Sequence, residues 1–65
     1  MVVKVIEIIG SSEKSWEDAA KNAIEEAKKT VRNMTGVDVV NFTASVKDGK
    51  ITKYKATCKV AFKVE

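Results

Sequence analysis

The chain has 65 residues, with twelve Lys and Arg against nine Asp and Glu, no histidine, no proline and one cysteine. A core drawn from so few residues gives only about 3–5 kcal/mol of net stability, so chains of this size usually add disulfides, a structural metal or association. One cysteine and no histidine exclude an internal disulfide and a Cys/His zinc site, which leaves association between copies.

The first segment, VVKVIEIIG, is a β-branched run that reads as a strand ended by Gly10. Alternation puts Val3, Val5 and Ile9 on one face and Ile6 and Ile8 on the other. A single helix covers only one of these faces, so the other is expected to meet a second subunit.

Ser11 to Lys14 form a polar connection, and Ser15-Trp16-Glu17-Asp18 then has the form of a capping box, with Asp18 where Glu or Gln is usual. Trp16, Ala19, Ala20, Ala23, Ile24, Ala27, Val31 and Met34 share one helical face, which predicts a helix running to a glycine stop at Thr35-Gly36. Four alanines on that stripe permit close approach to a sheet. Glu17 and Asp18 suit the helix start, Lys28, Lys29 and Arg32 suit its end, and Glu17 with Lys21 and Glu25 with Lys29 are favourable pairs four apart.

Val37 to Lys47 reads as a second strand, with Val40, Phe42, Ala44 and Val46 on one face and Asn41, Thr43, Ser45 and Lys47 on the other. Asp48-Gly49 is a two-residue hairpin signal, because a type I′ turn needs positive φ at both positions. From Ile51 to Val64, Tyr54, Ala56, Cys58, Val60, Phe62 and Val64 form an apolar stripe for the helix to cover, opposite Lys53, Lys55, Thr57, Lys59 and Lys63. The order is β-α-β-β in one domain over residues 1–65, an α+β fold with a three-stranded antiparallel sheet wrapped on one long helix. Exposed edges of the long hairpin are a second reason to expect a homo-oligomer.

Chemistry-bearing residues are few. No histidine, paired catalytic carboxylates or Gly-rich phosphate loop is present, so no enzyme is expected. Cys58 has no histidine to activate it and lies on an apolar stripe, where an inert thiol fits. Trp16, Phe42 and Tyr54 are core candidates, with Trp16 also weighed as a stacking residue. Glu7, Asp38 and Glu65 could converge on a cation around a symmetry axis, but separate surface charges are the expectation and no metal site is assigned. The lysine stripe at 53, 55, 59 and 63 supports two readings, an anion site or solvated lysines guarding a sheet against aggregation. Nucleic acid is not expected, since the stripe has no interleaved aromatics and the net charge is only +3. No membrane partner is expected either, since no apolar run approaches ~18–20 residues, and without a signal-peptide pattern the expected location is cytoplasmic.

The strand followed by GSSEKSWEDAAKNAIEEAKKTVRN, the VDVVNFTASVKDGK hairpin and the closing KVAFKVE resembles the dodecin family along the whole chain. The resemblance implies a hollow homododecamer that stores or sequesters flavin (FMN, riboflavin or FAD) in pairs between aromatic side chains at subunit contacts. The sequence departs from the family at two positions, with Gly36 where the family usually has tryptophan and Lys55 where it usually has glutamine. Many members also carry Arg and His where Thr43 and Ser45 stand. The resemblance places the ligand-binding residues at Gly36, Asn41, Thr43, Ser45 and Lys55. Two alternatives stay open: an anionic ligand of nucleotide or coenzyme A type, and a structural shell without ligand.

Overall fold

Valine and isoleucine hold the first segment extended, and it does not stop at the glycine. In the computed structural model, which describes residues 1–64, β1 runs Val2–Ser12, α1 Trp16–Ala27, β2 Met34–Lys47 and β3 Lys50–Val64. Glu65, weighed above as a cation ligand, lies outside the described residues. Gly10 stays in the strand because the helix crosses directly over it. A Cβ there would collide with the carbonyl oxygen of Ala19 and lie 2.7 Å from the Cβ of Ala23.

Ser15 caps α1 as its position predicts, its hydroxyl accepting from the Asp18 N–H at 3.0 Å. The return half of the box is relayed. The Asp18 carboxylate accepts from the Ser12 hydroxyl at 2.6 Å, and the Ser12 oxygen accepts from the Lys14 and Ser15 N–H groups at 2.9 and 3.4 Å. Ser12 is buried, so this relay ties the end of β1 to the start of α1.

The helix ends at Ala27, short of the predicted Thr35-Gly36 stop, and Lys28 to Thr30 close it as turns. Asn33, with φ 62°, takes the left-handed position expected of Gly36. The cause is the length of β3: Met34 pairs with Phe62, Gly36 pairs with Ala61, and the Lys63 N–H donates to the Asn33 carbonyl at 3.0 Å. Sheet pairing thus takes Met34 from the helical stripe. The shorter helix also changes the ion pairs. Glu17 and Lys21 pair as expected at 3.7 Å, but Glu25 turns to Lys28 at 3.2 Å and Lys29 to Glu26 at 3.3 Å.

Three antiparallel strands form one sheet in the order β1-β3-β2, and Asp48 and Gly49 turn the hairpin with φ 53° and 75°. A register shift between Val39 and Asn41 makes Val40 an extra residue. Before it, Val37 and Val39 lie opposite Val60 and Cys58; after it, Phe42 and Ala44 lie opposite Ala56 and Tyr54. Val40 therefore does not share a face with Phe42 by simple alternation. Val39 packs on the core instead.

Ala19, Ala23 and Ala27 of α1 and Ala56, Cys58 and Val60 of β3 are the buried apolar residues, with Ile6, Ile8, Ile24 and Met34 partly buried around them. This core is thin, while Val5, Ile9, Phe42 and Val46 are each more than half exposed. The radius of gyration is 13.2 Å, against about 11 Å for a compact domain of this length. Both facts fit a subunit whose outer faces are covered by other copies.

Gly10→Ala is expected to lower stability by roughly 2–3 kcal/mol through overpacking, read as a fall in the urea midpoint at fixed protein concentration. Gly36→Ala, where a Cβ would meet nothing within 4 Å, is the matched control and is expected to leave the midpoint in place.

Candidate functional site

Residues directly opposite each other in an antiparallel pair share a face, so the register defines the surface turned away from α1. Across β2, β3 and β1 its rows are Gly36, Ala61, Val5; Asp38, Lys59, Glu7; Asn41, Thr57, Ile9; and Thr43, Lys55, Ser11. Ser45 opposite Lys53 completes it towards the hairpin tip. The structure brings Asn41, Thr43, Ser45 and Lys55 into one contiguous patch. Gly36 lies on the same face but outside that patch, separated by the row of Asp38, Lys59 and Glu7.

Charge is unevenly distributed along the lysine stripe. Lys59 has a carboxylate-bearing residue beside it on each neighbouring strand, whereas the rows of Lys53 and Lys55 contain no acid. Uncompensated positive charge therefore concentrates at Lys53 and Lys55, among the side chains of Asn41, Thr43, Ser45, Thr57 and Ser11. Lys55 is half-buried and Lys53 exposed. Hydroxyl, amide and ammonium groups within neighbouring rows can bind an anionic or strongly polar ligand.

No aromatic ring lies in these rows. The ring of Trp16 meets Tyr54 edge-on at 4.8 Å and Phe42 at 6.2 Å between centroids, and its Nε1–H donates to the Thr43 carbonyl at 2.8 Å. Trp16 therefore packs, as its place on the helical stripe predicts, but on the exposed hairpin outside the buried core, as does Phe42, and it also holds the β2 backbone at Thr43. That second role left no trace in the sequence pattern. Neither did the partners of Thr43. Counting back from the two-residue turn alone sets Thr43 opposite Tyr54, but an irregularity between Ser45 and Val46 moves the register by one and brings Lys55 there.

Cys58 is fully buried, and desolvation pushes its thiol pKa up, which agrees with an inert core residue. Among the described residues no group of three or more His, Cys, Asp and Glu is placed to hold a metal.

A small β-α-β-β unit with exposed apolar side chains and a polar, cationic sheet patch has the make-up of a small binding subunit. The family model for dodecin matches residues 2–65. The calcium dodecin of Mycobacterium tuberculosis is 41% identical over 64 residues, spanning 97% of this chain and 89% of that protein. The solved dodecin of Streptomyces davaonensis superposes with a TM-score of 0.95 at 30% identity, over 98% of this chain and 94% of that one. The Thermus thermophilus dodecin is 28% identical over 64 residues, 98% of this chain and 93% of that protein. The chain belongs to the dodecin family, whose members are small binding proteins that form homo-oligomeric shells.

Trp16→Phe keeps a ring but removes the indole donor. It is expected to lower stability by about 1 kcal/mol, with faster amide hydrogen exchange around Thr43 than around Asp38 as the local readout.

Proposed function

We propose that this chain is the subunit of a cytoplasmic, non-enzymatic homododecamer that stores or sequesters a phosphate-bearing small ligand of flavin nucleotide type at contacts between sheet faces. The carrying observation is the pairing of Thr43 with Lys55, flanked by Asn41 opposite Thr57 and Ser45 opposite Lys53, with no acidic residue in these rows. Lys55 meets the phosphate or a ring carbonyl, and the hydroxyl and amide side chains orient the polar edge of the ligand. Gly36, beyond the row of Asp38, Lys59 and Glu7, leaves open space on the same face, since a Cβ there meets nothing within 4 Å. With no ring on this face, recognition rests on the anion more than on stacking, which favours FMN and FAD over riboflavin. Other phosphate-bearing molecules of nucleotide or coenzyme A type share that chemistry.

Titration of FMN and riboflavin with the assembled protein, followed by flavin fluorescence, tests this. Saturable FMN quenching is expected, with riboflavin about tenfold weaker, the size of one charge-assisted hydrogen bond (~1.4 kcal/mol). Lys55→Ala is expected to remove that difference. Equal affinity for both flavins, or an unchanged FMN affinity in Lys55→Ala, would sink the assignment of Lys55.

A second reading is favoured by one comparison, since the 41% identical relative is named a calcium dodecin. Glu7 and Asp38 flank Lys59 on neighbouring strands, so a calcium site would need carboxylates from several copies to converge. On the flavin nucleotide reading, calorimetry of chelator-treated protein gives calcium binding no tighter than about 1 mM. Micromolar binding that disappears in Glu7→Gln with Asp38→Asn would establish the calcium reading instead.

A further inference from the structure

Beyond Ser12 opposite Tyr54, β1 no longer accompanies β3, and the sheet continues as the hairpin arm of β2 and β3 alone. The arm projects past the start of α1. A two-stranded ribbon is marginal in water by itself. This one carries Val46 paired with Ile51, 65% and 49% exposed, and Lys47, Lys50 and Lys53 against the single Asp48. The Asp48-Gly49 turn and the pairing of β2 with β3 on both sides of the Ser45/Val46 irregularity hold the arm extended.

A surface of opposite character lies elsewhere on the same chain. The helix packs on β1 and β3, and along its free flank runs an open trough lined by Ala20, Ile24 and Val37, with Glu17, Asp18 and Glu25 as its acids. Lys21 is the lysine among its lining residues. The pairs that Glu17 and Glu25 make with Lys21 and Lys28 are exposed and therefore weak, so both carboxylates are free to exchange partners.

We propose that the hairpin tip of one copy seats in this trough on a neighbouring copy, with Val46 and Ile51 against Ala20, Ile24 and Val37 and the tip lysines, Lys47 and Lys50, facing Glu17 and Glu25. This rests on the shell reading and names the surfaces that build it. Apolar burial supplies the attraction, while the charges set the direction of approach. The contact is heterologous, tip to trough, so each copy both gives and receives an arm and closure depends on the angle between successive copies.

Cysteine trapping on the full chain tests the contact. Ile51→Cys combined with Ala20→Cys is expected to give, under mild oxidation, a ladder of covalent multimers on a non-reducing gel. Ile51→Cys combined with Lys29→Cys, beyond the far end of α1, is expected to stay monomeric on that gel. Buried Cys58 remains in both variants. As a second measurement, Lys47→Glu with Lys50→Glu is expected to raise the dissociation concentration in sedimentation at least tenfold, and adding Glu17→Lys with Glu25→Lys is expected to recover most of it. A parent chain that sediments as an assembly while the first pair links no better than the second overturns the tip-to-trough contact and leaves the shell standing. A parent chain that sediments as a monomer overturns both.

Discussion

The close approach of α1 to the sheet, alanine against glycine and alanine, is the constraint from which the rest of the subunit follows. Ala19 and Ala23 pass over Gly10, while Ala56, Cys58 and Val60 of β3 complete the buried core. Small side chains give intimate packing but little buried apolar area, so the core stabilises the monomer weakly. The larger apolar residues are displaced outward, to β1 as Val3, Val5 and Ile9 and to the hairpin as Phe42, Val46 and Ile51. Tight packing inside thus leaves apolar surface outside, and on the proposed function its burial between copies adds to the stability of the fold.

Much of this was legible in the sequence because the signals were local. The capping serine, the alanine stripe, the Asp48-Gly49 turn and the alternation in β3 each act within a few residues, and each appears where expected. What escaped was register. Three irregularities, between Met34 and Gly36, at Val40 and between Ser45 and Val46, change which residues face each other, and the last two have no glycine or proline to announce them. The helix end escaped for a related reason. The periodic pattern ran on through Val31 and Met34, but the reach of β3 made strand pairing the better use of Met34. Long-range pairing outweighed local periodicity in both cases.

The candidate site shows the same division. Its residue types were visible, and so was the face that Asn41, Thr43 and Ser45 share. The pairing of Thr43 with Lys55 was not, because it depends on the shifted register. The distribution of charge was hidden too, since Glu7 and Asp38 lie far apart in the chain and come opposite Lys59 only once three strands are assembled. A uniform basic stripe in the sequence therefore becomes a compensated row and an uncompensated patch in the fold. Trp16 supports that patch from behind by fixing the Thr43 carbonyl.

Gly36 bears on the history of such a protein. It stands beside a register irregularity in β2, but its φ is not positive and the place where a side chain would begin is open, so neither backbone strain nor packing requires glycine there. Residues at such positions drift freely, because selection for a stable fold does not see them. A lineage can exchange an aromatic ring for nothing at this point, and regain it, without passing through an unfolded intermediate. On the proposed function, ligand preference then becomes an evolvable trait separable from the architecture, and one subunit design can serve different small molecules in different descendants.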